Sequence, residues 1–183
     1  MEGFKTVAYS ETTLTELMIP SYSNFGGKIH GGVILSLMDK VAYVCAAKHA
    51  DAYCVTASVD TVDFLAPVEV GELVSLLASV NYVGNSSLVI GIKVISENIK
   101  THLVKHTNTS YITMVAFDDN NKTMQVPGLI LQNHTQVRRF FESLRRKELK
   151  KKIKQDEASK KVINSTEEYL HLIKGERYKM VAG

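Results

Sequence analysis

Val33, Ile34, Leu35, Leu37, Met38, Val41, Ala42 and Val44 make one stretch of the chain apolar on nearly every side, and Asp39 is the only charge between Lys28 and Lys40. That density predicts one long helix from Gly31 or Gly32 to His49, ending before the polar Asp51. Ahead of it, threonines mixed with Leu14, Leu17 and Met18 over 12–18, stopped by Pro20, predict a strand that feeds a glycine-containing loop. After it the period changes to two. Val55, Ala57, Val59 and Thr61 alternate with Thr56, Ser58 and Asp60, and the run to Ala66-Pro67 reads as one long strand. Pro67-Val68-Glu69-Val70-Gly71 is a turn, 73–83 a second long strand, and Gly84-Asn85 a hairpin leading to a third strand over 87–96. A fourth, over 107–117, closes on Asp118-Asp119-Asn120-Asn121. Strand, buried helix, then antiparallel meander is an α+β layout with a helix packed on one face of a sheet.

From Thr135 onward Val137, Phe140, Phe141, Leu144 and Leu149 recur at helical spacing among many Lys and Arg, which predicts an added basic helix. Beyond about Gln155 the pattern weakens, and Tyr169, Leu170, Leu172 and Ile173 are the only later apolar group. The chain therefore divides into a domain over 1–132 and a basic helical extension over 133–183, flexible in part. Composition adds that the 183 residues, 45% apolar and 22% charged, are globular. No apolar run reaches the roughly 20 residues of a membrane helix, so no membrane partner is expected. Met1-Glu2-Gly3-Phe4-Lys5 has neither the basic start nor the apolar stretch of a signal peptide, and the expected location is cytoplasmic. Cys45 and Cys54 stand apart from any histidine pattern of a metal site and read as reduced core thiols; no metal or redox cofactor is implied. The net charge of +3 is gathered late, in Arg138-Arg139, Arg145-Arg146-Lys147 and Lys150-Lys151-Lys152. With no aromatic platform among the lysines, nucleic acid is not an expected partner.

Candidate chemistry lies between Asn24 and Asp39. Gly31 and Gly32 let the backbone approach a bound group, and the helix start aims its N–H groups at the same place. Two turns further in, Asp39 is a carboxylate that is costly to bury without a partner or a purpose. Asn24 offers a donor and an acceptor without charge, although an Asn close before Gly26-Gly27 also suits a plain turn. His30 is suited to proton transfer, or to a loop position with a hydrogen-bond partner. Asp60 and Asp63, three apart on one expected strand, face opposite sides and are no carboxylate pair.

Pro20, Asn24, Gly31-Gly32, Met38-Asp39, Thr56-Ala57-Ser58-Val59-Asp60, Asp63-Phe64-Leu65, Pro67 and Gly84-Asn85-Ser86-Ser87 follow one another in an order and spacing that resembles the acyl-CoA thioesterases (acyl-CoA hydrolases) of the hotdog superfamily, over about 12–127. The resemblance implies a long central helix wrapped by a five- to six-stranded antiparallel sheet. It further implies an edge-to-edge homodimer that often assembles as a trimer of dimers, with acyl-CoA as substrate. Its site would join Asp39 of one subunit to Asn24 of the other. Gly31 or Gly32 would polarise the thioester oxygen for the Asp39 of their own helix, His30 would line the site, and Gly84, Ser86 and Ser87 would contact CoA. Two departures stand out: Ala66 replaces an Arg found in many relatives, and His30 stands where many have Phe.

Under that resemblance Asp39 is a general base for water or a nucleophile giving a mixed anhydride. The basic helix is a solvated face or a contact for the CoA 3′-phosphate. Tyr43, Met38 and Leu77 are candidates for the floor of the acyl tunnel. Alternatives are a non-catalytic hotdog protein that binds or senses acyl-CoA, and a hotdog acyl-thioester dehydratase, which would need a His and a second acid beside Asp39.

Overall fold

The computed structural model describes residues 3–159, 166–177, 179 and 180, in two compact units, Met1–Arg145 and Arg146–Gly183. In the first, β1 (Phe4–Thr6) and α1 (Val7–Ser10) precede β2 (Thr12–Leu17), a 3-10 turn (Pro20–Tyr22) and α2 (Gly31–Ala50). Then follow β3 (Tyr53–Val59), β4 (Asp63–Phe64), β5 (Glu72–Val83), β6 (Ser87–Asn98), β7 (Val104–Phe117), β8 (Gly128–Ile130) and α3 (His134–Ser159). The main sheet runs β2-β5-β6-β7-β3, wholly antiparallel, with β4 continuing the β3 edge alongside β7. It curls around α2 as the resemblance implies.

Alternation decides which side faces the helix. Val74, Leu76, Ala78 and Val80 of β5, Leu88, Ile90, Ile92 and Val94 of β6, and Ile112, Met114 and Ala116 of β7 all point inward and are buried. Against them α2 sets Ile34, Leu37, Met38, Val41, Ala42, Cys45 and Ala46, forming one core. Cys45 and Cys54 are free thiols inside it, pushed up to about 12 and about 11 by burial.

The C-terminal end of α2 is fixed by neighbours that are distant in sequence. At its C-terminus Asp51 is left-handed (φ 51°), and the Lys5 ammonium donates to the His49 carbonyl at 2.8 Å and pairs with Asp51 at 2.5 Å. A cation there meets the negative end of the helix dipole. His49 is fully buried: its Nε2 donates to the Pro127 carbonyl (3.1 Å), its Nδ1 lies 3.3 Å from the Ser10 hydroxyl, and burial holds its pKa below the usual value. The short parallel pair β1 and β8 closes over this cluster.

The expected long strand over 55–66 is instead two. A bulge falls between Thr56 and Ser58, β3 ends at Val59, and the Asp60 N–H donates to the Tyr111 carbonyl before the chain re-enters the sheet at Asp63. Asp60 and Asp63 thus do not share a strand.

The first turns of α3 lie on the outer face of the sheet, with Phe140 against Tyr82 (5.1 Å between ring centres) and Ser143 buried. Gly91 leaves room beneath for the Asn81 side chain: a Cβ there would sit 2.1 Å from its amide nitrogen. The second unit holds the remainder of α3 and α4 (Thr166–Leu172), a helix on the late apolar group, with Tyr169 and Leu172 exposed. No described helix is long and apolar enough to cross a membrane.

Candidate active site

Asp39 lies on the side of α2 turned away from the core. It is exposed, contrary to the expectation of a buried carboxylate, because the neighbouring edge of the sheet is open. Its partner is Thr56 of β3, whose hydroxyl donates to Asp39 Oδ1 at 2.5 Å and also touches the Met114 sulfur at 3.4 Å. The bond holds the side chain toward β3 and leaves Oδ2 without a partner among the described residues. The β3 bulge begins at Thr56, at the point where the strand must turn this side chain toward the helix.

Around the pair is a pocket of about 530 Å³, lined by Lys40, Tyr43, Val44, Tyr53, Val55 and Met114 as well as Asp39 and Thr56. Tyr43 and Tyr53 meet edge to face, 6.3 Å between ring centres. Of the three tunnel candidates Tyr43 alone lines this space: Met38 is buried in the core, and Leu77 lies on the outer face of the sheet.

The loop before α2 is a second, separate group. The Asn24 side-chain oxygen accepts the N–H groups of Gly26 (2.9 Å) and Lys28 (3.2 Å), while its backbone N–H donates to the Lys28 carbonyl at 2.7 Å. This is the turn chemistry that the sequence left open, and it leaves the amide NH₂ as the group Asn24 can offer outward. His30 is the N-cap: its Nδ1 accepts the Gly32 N–H at 2.9 Å, which puts the ring proton on Nε2. Gly32 provides room for that cap, since a Cβ would fall 2.9 Å from Nδ1. The Gly32 N–H is therefore occupied, and the Gly31 N–H has no partner among the described residues. Over Gly31 sits the exposed Phe64 ring, 3.1 Å from where a Cβ would be.

The two groups do not meet within one chain. Eight residues of helix, about 12 Å of axial rise, separate Gly31 from Asp39. A carbonyl cannot touch both. Gly31 and Gly32 thus lie at the far end of the helix turns that carry Asp39. They stand with Asn24.

Gly84 and Ser86 form the β5–β6 turn, the Gly84 N–H donating to the Ser87 carbonyl at 2.7 Å. Cross-strand register sets Leu88, Met114 and Thr56 in one row and Ser87, Val115 and Val55 in the next. The turn is thus two strands from Thr56, and the Ser87 side chain leaves on the outer face, away from α2. Among the described residues no group of three or more His, Cys, Asp and Glu is placed to hold a metal ion.

Residues 26–102 match the thioesterase superfamily model. A solved apo-hexameric acyl-CoA thioesterase superposes with a TM-score of 0.79 at 36% identity, covering 81% of this chain and 96% of its own. The chain belongs to the acyl-CoA thioesterases of the hotdog superfamily. It is an acyl-CoA thioester hydrolase. Protein VdlD of Helicobacter pylori is 43% identical over 145 residues, 79% of this chain and 83% of that protein. An acyl-CoA hydrolase from Staphylococcus aureus, solved with butyryl coenzyme A, coenzyme A and coenzyme A disulfide, is 28% identical with a TM-score of 0.78, over 92% and 99% of the two chains. That hydrolase has also been solved with an Asn, an Asp or a Thr replaced by alanine.

Thr56 carried no role in the sequence reading. A polar residue two positions beyond the buried Cys54, on the same face of a strand, is the signal that was available.

Proposed function

We propose that this thioesterase cleaves acyl-CoA to CoA and a carboxylic acid at sites built from two subunits, Asp39 and Thr56 of one facing Asn24 and Gly31 of its partner. The Thr56–Asp39 hydrogen bond at the wall of an apolar pocket is the observation that carries this reading. The alanine variants of the Staphylococcus aureus hydrolase support it: the intervals between its substituted Asn, Asp and Thr equal those separating Asn24, Asp39 and Thr56.

In this mechanism the acyl chain lies along Tyr43, Val44 and Tyr53. Asp39 takes a proton from a water that attacks the thioester carbon, or attacks that carbon itself and is released by water in a second step. The Gly31 N–H and the helix dipole stabilise the oxygen as it gains charge, and the Asn24 NH₂ orients the water or the carbonyl. The C–S bond then breaks, and the CoA sulfur leaves with a proton. Water supplies the new oxygen, so no cofactor is called for. The turn of Gly84, Ser86 and Ser87 is the segment proposed to meet CoA. A dehydratase would want His30 as its base, but that ring is committed to the helix N-terminus.

Thiol release from a panel of acyl-CoA chain lengths tests the reading. Wild type turns over part of the panel, and Asp39→Ala loses at least about a hundredfold in kcat. Equal rates for the two proteins would sink the mechanism.

A further inference from the structure

Glu72 is a charged residue buried in the core domain for which the chemistry above has no use, at 4% exposure near the start of β5. Its Oε1 pairs with the Lys105 ammonium at 2.9 Å, and its Oε2 accepts the Ser96 hydroxyl and, at 2.9 Å, the backbone N–H of Glu69. Burial alone would raise this carboxyl, but the Glu69 N–H, Ser96 and Lys105 outweigh it and hold its pKa below the ordinary value. The carboxylate is therefore held in its charged form by three donors on its two oxygens. It reaches back three residues to pin the turn at Glu69, where Gly71 (φ 87°) allows the reversal.

Glu69 is where the catalytic loop docks. Lys28 bridges to it, the Lys28 ammonium pairs with its carboxylate at 2.6 and 2.8 Å, and the Ile29 N–H donates to the Val68 carbonyl at 2.9 Å. Lys28 in turn closes the loop on Asn24, giving its carbonyl to the Asn24 N–H and its own N–H to the Asn24 side-chain oxygen. One unbroken series of hydrogen bonds thus runs from Lys105 and Ser96 through Glu72, Glu69 and Lys28 to Asn24.

We infer that Glu72, held by Lys105 and Ser96, is a positioning residue for the active site, fixing the loop that presents Asn24 through the turn at Glu69. The inference rests on the catalytic reading of Asn24. A glutamine at position 72 keeps the size but must turn its NH₂ toward a donor, Lys105 on one side or Ser96 and the Glu69 N–H on the other, so one bond is lost whichever way it lies.

The test is Glu72→Gln alone and combined with Asn24→Ala, in the full-length enzyme, read by steady-state kinetics and by amide exchange of Gly26 and Lys28. Expected are a kcat lowered about ten- to a hundredfold by Glu72→Gln, a KM within about twofold, and faster exchange at both amides. In the Asn24→Ala background the same change costs less than about twofold, because its effect passes through Asn24. An equal loss in both backgrounds would mean a general structural role and overturn the inference, as would normal exchange at the loop. Asn24→Ala with wild-type activity would instead remove the reading beneath it, a result visible without Glu72→Gln. Should Glu72→Gln not fold, Ser96→Ala removes one bond from the same carboxylate and is held to the same outcomes.

Discussion

Asp39 was legible in the sequence as a lone charge in an apolar run, but its surroundings were not. The run points to burial, yet Leu35 and Tyr43, one turn either side of Asp39 on the same face of the helix, are also exposed, so apolar neighbours in sequence do not make a closed environment. What fixes Asp39 is Thr56, seventeen residues away and brought close by the packing of β3 on α2. Sequence spacing cannot express such a contact. Thr56→Val keeps the shape and removes the hydroxyl. Loosening the carboxylate that the mechanism needs in place should lower kcat roughly ten- to a hundredfold, while at this exposed pair water takes the hydroxyl's place and thermal stability changes little. Steady-state kinetics beside a melting curve checks this; an unchanged kcat would mean the bond does not orient the reacting carboxylate. His30 shows the reverse case. Its ring is suited by type to proton transfer, but its Nδ1 is spent on the Gly32 N–H.

At the scale of elements, α2 and the strands β5, β6 and β7 could be read from periodicity alone, because each has one face buried against the other. β3 could not. Val55, Ala57 and Val59 were the apparent inward set, whereas Cys54 and Thr56 face the helix and Val59 is exposed at the sheet edge. An edge strand whose apolar side awaits another chain mimics an inward pattern. The N-terminus of α2 gives a test of the cap: His30→Ala leaves the Gly32 N–H without its acceptor, and loss of an N-cap costs about 1 kcal/mol, readable by denaturant unfolding. The C-terminus gives a test in pH. Burial lowers the pKa of His49, so the unfolded chain binds a proton first; stability is level above about 6.5 and falls as pH drops below it. His49→Gln should flatten that slope in melting temperature between about pH 6.5 and 5. A slope identical to wild type would contradict the buried neutral ring.

For the molecule as a whole, the fold could be anticipated from motif order, while β1, α1, β8 and the seat of α3 on the outer face could not. Short elements such as β1 and β8 pair across almost the whole domain and leave no local period. Among the exposed apolar side chains, Leu35, Tyr43, Val44, Tyr53 and Val59 lie on α2 and β3, Phe64 and Leu65 continue that edge past Gly31, and Phe25 projects fully from the Asn24 loop. Scattered exposure would be ordinary; a patch beside Asp39 fits a surface that a second copy covers. The proposed two-subunit site also accommodates the roughly 12 Å of helix between Gly31 and Asp39. Complementation between two impaired variants measures this most directly. Asn24→Ala and Asp39→Ala proteins are each expected to keep only a small residual rate, and after subunit exchange the hybrid dimer holds one site with both residues intact. Random mixing in equal amounts should restore about a quarter of wild-type activity, since half the dimers are hybrid and each has one working site of two. No recovery despite demonstrated exchange would place Asn24 and Asp39 of a single chain in one site and contradict the account.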